Sequence, residues 1–185
     1  CLLLSILSLA ALDCRQPSPG PSALDELRAL AGEDQTMRGA EETDPQKTYD
    51  ADQAHRRRVF ELIAAGRIAS AEEKFLAALL LQHTPAMVCG GTMTSESREN
   101  YLLAHFLASA SAEAGYRPAR RMTAMTLDRY LWMCGLPQKY GTNFNIDKKT
   151  GRPDLEPLDP ATTDEERARW DVEPLRVLRG EAKKD

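Results

Sequence analysis

From Tyr101 to Ala112 the chain reads YLLAHFLASASA, with no charged side chain unless His105 is protonated. Apolar and small residues fall all the way round a helix of this sequence, and a helix without a polar face must be buried on several sides. Everything else has to wrap it, so this helix is expected at the centre of a bundle. Composition points the same way: 42% hydrophobic residues rich in Ala and Leu, with only 6% aromatic, favours helices over sheets. The expected fold class is all-α, made of antiparallel helical hairpins in a tetratricopeptide-like bundle or short array, with an irregular C-terminal segment.

Capping and breaking residues place the other helices. Ser22 and Asp25 start a first helix carrying Leu24, Leu27 and Leu30, which Gly32 and Gly39 would weaken. An acidic, Pro-containing run from Glu41 to Lys47 then leads to a helix from about Asp50 to Ala65, closed by Gly66, with Arg56, Arg57 and Arg58 on its wet side. Ser70 and Glu73 form a capping box for a third helix that ends at His83 and Pro85. The segment Thr84 to Glu96 reads as a loop, and Ser95 or Ser97 caps the uncharged helix. Gly115 ends that helix, Pro118 opens the next, and Gly135-Leu136-Pro137 stops it after Cys134. Residues Asn145 to Pro160 read as irregular surface, and Thr163 with Glu166 caps a short last helix. Ala65-Gly66 recurs as Ala114-Gly115, and Gly66, Ala71, Phe75 and Ala78 match the spacing in the second helix of a tetratricopeptide unit.

A chain of 185 residues suffices for one domain with a complete core. The expected organisation is a signal or anchor segment over residues 1–14, a linker over 15–21, a helical domain over 22–179 and a tail over 180–185. Residues Cys1 to Ala11 are almost purely apolar, too short to span a bilayer and suited to the core of a secretory signal. A chain that begins with Cys reads as truncated or mis-started, with the basic region of the signal missing. Export to the periplasm, cell envelope or exterior is the expectation. Cys14, followed by a Pro- and Ser-rich tether, suggests a lipoprotein with a membrane tether, against which Asp13 counts. The formal charge of −4 and pI near 5.5 exclude nucleic acid bound over the whole surface, which would need a basic face. The remaining cysteines, Cys89 and Cys134, would form a disulfide in an exported protein.

The polar residues that could carry chemistry gather by connectivity. With the helices antiparallel, His105 lies about 12 Å from the start of its helix and Asp128 about 9 Å from the end of the next, at one end of the bundle. His83, Tyr101, Arg129 and the loop Gln138 to Asn143 belong to the same end. His105 could act as a general base with Asp128 orienting it, while Arg129, Gln138 and Thr142 hold an anionic or polar ligand. The alternative is packing: a core histidine satisfied by hydrogen bonds, Asp128 and Arg129 serving each other or the loop backbone, and Tyr140 and Phe144 plugging the bundle. His83, with His105 and Asp128, is a candidate metal ligand, but the spacing matches no ligand motif. No phosphate loop, zinc pattern, nucleophile elbow or dinucleotide fingerprint occurs, so no cofactor is expected.

Asp34-Gln35-x-x-Arg38, Gln82-His83, Tyr101-Leu102-Leu103-Ala104-His105, Leu127-Asp128-Arg129-Tyr130-Leu131 and Pro137-Gln138-x-Tyr140-Gly141-Thr142 together resemble a bacterial domain-of-unknown-function family. The resemblance spans roughly Ser22 to Arg179, and Asn143 stands where members often have Gln. It implies a helical fold and a polar cluster drawn from the matched positions, adding Asp34, Gln35, Arg38, Tyr140 and Asn143 to the ligand-binding candidates. It implies no activity. The expected function is a non-enzymatic, exported helical domain that binds an unidentified protein or a small polar ligand. The rival is a hydrolase-type or metal-dependent enzyme using His105 and Asp128, and a third reading is a cytosolic interaction module with a mis-assigned start.

Overall fold

Ser22 accepts a hydrogen bond from the Asp25 amide and starts α1 (Ala23–Gly39), which runs on through Gly32. The computed structural model describes residues 21–42, 44–89, 92–146, 149, 151, 153–155 and 157–181, with only the backbone described at 86–89, 92–94, 145, 146 and 154. The expected signal, the Cys14 tether and most of the linker therefore lie outside the described residues. Asp44 caps α2 (Pro45–Ala64) through the amides of Gln46 and Lys47, with Pro45 in the first turn where its missing N–H costs nothing. The helix thus starts inside the acidic, Pro-containing run, five residues before the Asp50 expected. The Ser70–Glu73 capping box opens α3 (Ala71–Leu81) as its spacing predicts. Two short strands, β1 (Ala86–Cys89) and β2 (Thr92–Ser95), pair antiparallel where a plain loop was expected.

The uncharged segment is α4 (Arg98–Glu113), followed across Gly115, whose φ is +89°, by α5 (Ala119–Met133). Neither Ser97 nor Pro118 makes a side-chain cap bond. The chain closes with a second hairpin of β3 (Phe144–Ile146) and β4 (Pro153–Leu155), then α6 (Asp164–Arg169) with its Thr163–Glu166 capping box, and α7 (Leu175–Leu178). The fold is all-α in class, built of antiparallel helical hairpins, and the two β-hairpins are additions to it. None of the described helices is long and apolar enough to cross a membrane.

Helix α4 packs between α3 and α5, and α1 and α2 pack on α3. Tyr101, Ala104, Ala108 and Ser111 are its fully buried stripe, and Ser111 ties it to α3 through a 2.6 Å hydrogen bond to the Ala71 carbonyl. Burial is broad but not complete, because Phe106 is 61% exposed. The main core joins Leu27, Val59, Leu62, Leu76, Leu80 and Leu81 to the alanines of α4. A smaller core on the other side of α5 gathers Ala124, Tyr140, Val172 and Leu178. The polar residues divide between these two sides.

Candidate functional site

At the junction of α1, α2 and the end of α3, charge is buried on the core-facing side of the helices. On α2 the buried positions are Asp52, His55, Arg56, Val59 and Leu62, the spacing of one helix face, so two titratable groups and an arginine occupy the stripe that continues as core. On α1 the same holds for Asp34, fully buried after Leu27 and Ala31. The Asp34 carboxylate accepts from Arg38 Nε at 3.1 Å and Gln35 Nε2 at 2.7 Å, and lies 2.8 Å from His83 Nδ1. Arg38 Nη2 reaches Asp52 Oδ1 at 2.6 Å, so one guanidinium bridges two buried carboxylates. Arg56 donates to the His83 carbonyl and to Glu96, and Arg129 Nη1 comes from α5 to the Gln82 carbonyl at 3.0 Å.

The tautomer of His83 follows from its neighbours. Arg38 Nε lies 3.0 Å from Nδ1 as well, but a carboxylate only accepts, so the Nδ1 proton faces Asp34 and Arg38 donates to the carboxylate. Nε2 then carries the lone pair and makes no hydrogen bond within the described protein. Burial pushes the His83 pKa down, outweighing the attraction of Asp34, and Arg38 and Arg129 add to the effect. Burial alone would raise the Asp34 carboxyl; hydrogen bonds from His83 and Gln35 and the Arg38 charge outweigh it and hold it below its ordinary value. Arg129 has no carboxylate partner among the described residues, and burial and the neighbouring Arg38 lower its pKa. Of the buried side-chain atoms with no hydrogen-bond partner among the described residues, His55 Nδ1 and Gln82 Oε1 belong to this cluster.

The expected constellation is split by α5. Asp128 and Arg129 are consecutive and so about 100° apart around the helix, and they serve different sides. Arg129 joins the cluster just described. Asp128, fully buried, accepts from the amides of Lys139, Tyr140 and Thr142 and from the Thr142 hydroxyl, at 2.8 to 2.9 Å. Gln138 is also fully buried, and its side-chain amide pairs with the backbone of Asn143 in both directions. Gly141, at φ +85°, makes the turn, with the Leu158 side chain 3.0 Å from where a Cβ would stand. The Tyr140 ring lies in the smaller core and its carbonyl accepts from Arg167. The loop is thus held as packing, with Tyr140 as a plug. Phe144, expected to share that role, is 47% exposed.

His105 is half-buried and directs Nδ1 at the Thr123 carbonyl, 3.0 Å away. Thr123 precedes Asp128 by about 7.5 Å along α5, and no hydrogen bond joins His105 to Asp128. Asp34, Gln35, Arg38, His83 and Arg129 are brought together; His105, Asp128, Gln138, Tyr140, Thr142 and Asn143 are not part of that group. Cys134 carries a free thiol, while the side chain of Cys89, its expected disulfide partner, lies outside the described residues. The basic run is corrected in part: Arg57 is exposed, but Arg56 is buried against Glu96 and Arg58 pairs with Glu26. Three consecutive residues span about 200° of a helix and cannot all face water.

Asp52 and His55 were missed by the sequence reading. Their signal was present: they precede Val59 and Leu62 on one helical face, so a carboxylate and an imidazole sit where periodicity calls for apolar residues. No family model, curated protein or solved structure matches this chain.

Proposed function

We propose that the chain is a helical binding domain for a small anionic ligand, a phosphate or carboxylate, held by Arg129 with Arg38 beside it. The observation that carries the reading is Arg129, a half-buried guanidinium whose hydrogen bond goes to a backbone carbonyl and which faces no carboxylate among the described residues. A desolvated cation without a counter-charge is costly, and an arginine is the side chain best shaped to take an oxyanion in two parallel bonds. The half-burial of Arg129 favours a small ligand over a protein partner. The same cluster includes the D-Q-x-x-R and Q-H elements of the proposed bacterial family, and export of the domain belongs to the same proposal.

Thermal unfolding with and without inorganic phosphate, citrate or acetate tests it. A ligand at a hundred times its Kd adds about 2.7 kcal/mol, which raises Tm by roughly 5–10 °C in a domain of this size. Arg129→Met should remove the increase. No increase for the wild type with any anion, or an equal one in the variant, overturns the reading.

A second reading, a hydrolase-type enzyme, is favoured by the free lone pair of His83 Nε2 behind an orienting Asp34. It moves the acid–base pair from His105 and Asp128 to His83 and Asp34. Hydrolysis of aryl esters or aryl phosphates that falls to background in His83→Asn and survives in His105→Asn would support it.

A further inference from the structure

We infer that Asp34, Asp52 and His55 form a binding site for one first-row divalent transition-metal ion. Each of the three offers one ligand atom, and these atoms lie within 4.8 Å of one another, with all three residues buried. Ligands at about 2.0–2.2 Å from one ion stand no more than about 4.4 Å apart, so a small side-chain adjustment brings the three onto a common ion. Asp34 comes from α1, and Asp52 and His55 are one helical turn apart on α2, so the donors are fixed by two packed helices and not by a loop.

The second observation is the imidazole itself. His55 is 3% exposed, its Nε2 faces Glu33 at a long 3.3 Å, and its Nδ1 is buried with no hydrogen-bond partner among the described residues. A buried histidine in a helix bundle ordinarily has both nitrogens satisfied; one left open, on a residue that has a ring nitrogen within 4.8 Å of two buried carboxylates, leaves the imidazole available as a ligand. The donor set also selects the ion. Magnesium and calcium take oxygen ligands, and magnesium keeps several waters, whereas imidazole with carboxylates suits zinc, cobalt, iron or manganese.

Arg38 occupies the position of the cation in the metal-free protein, bridging Asp34 and Asp52 with a single positive charge. Its side chain is 31% exposed, which leaves it a path to swing outward as the ion enters. His83, bonded to Asp34, would then hold that ligand from behind. The inference does not rest on the anion reading, whose carrying observation is Arg129 on α5, whereas the three ligands here come from α1 and α2.

The test uses the full, tag-free chain stripped with a chelator and titrated with Co²⁺ and Zn²⁺ by calorimetry, with the visible d–d absorption of bound Co²⁺ as the spectroscopic readout and circular dichroism as the check on folding. The expected result is one ion per chain, binding at least about tenfold weaker in His55→Ala, binding tighter in Arg38→Ala because the competing guanidinium is gone, and much weaker binding of Mg²⁺. Absence of Co²⁺ binding by the folded wild type, an unchanged isotherm in His55→Ala, or weaker binding in Arg38→Ala would each overturn the site. Should His55→Ala fail to fold, His55→Gln, which keeps most of the volume and removes the imidazole ligand, is titrated in its place, and an isotherm unchanged from the wild type overturns the site. Phosphate binding by the stripped protein is measured separately, so loss of one reading leaves the other intact.

Discussion

Adjacent residues with unlike duties set the chemistry of this protein. Asp128 fixes a loop and Arg129 enters a charged cluster, although the two stand side by side in the sequence. Asp128→Ala would leave three amides and a hydroxyl without their acceptor, at about 1–3 kcal/mol for each buried group left unpaired. An overall loss of at least about 4 kcal/mol in urea unfolding is expected, with faster proteolysis near Tyr140. His83 and Asp34 predict the response to acid. The folded pKa of His83 lies below its ordinary 6.5, so the unfolded chain binds its proton first; the associated stability is complete above pH 6.5 and falls as pH drops toward the folded pKa. Asp34, depressed below 3.8, contributes a second loss below that pH. Urea midpoints measured from pH 8 to pH 3 should decline in these two stages, and His83→Asn should remove the first.

At the scale of elements, α4 makes the bundle possible because its contact faces are small. Ala104 and Ala108 are fully buried where α4 packs on its neighbours, and their size lets helix axes approach closely. Ala104→Leu would force neighbouring side chains off their rotamers and cost about 1–3 kcal/mol, read as a lower Tm with little change in far-ultraviolet circular dichroism. The capping boxes at Ser70 and Thr163 and the left-handed glycines were legible because each depends on residues three or four apart. The β1–β2 and β3–β4 hairpins were not, since both are too short to display an alternating pattern.

Over the whole molecule, two cores share α5. The smaller depends on Arg167, which is 1% exposed and donates to the carbonyls of Tyr140 and Thr162. Arg167→Ala should loosen this side first: amide exchange from about Tyr140 to Leu178 is expected to accelerate well before that of α1 to α4, because the main core contains none of these contacts. Uniform acceleration across the chain would show instead that the cores unfold as one.

What the sequence determined by itself was local: the all-α class, the helix limits set by caps and glycines, and the need to bury the segment around Ala104. Hydrophobic periodicity and capping act within a few residues, so they can be read along a line. The meeting of Asp34 with His83, of Arg38 with Asp52, and of Arg129 with the end of α3 was decided only by tertiary structure. These contacts join residues from four helices, and their geometry depends on the rotation of each helix about its axis. That rotation is set by packing of the whole core; a turn of about 100° separates Asp128 from Arg129 and sends one to a loop and the other to the charged cluster.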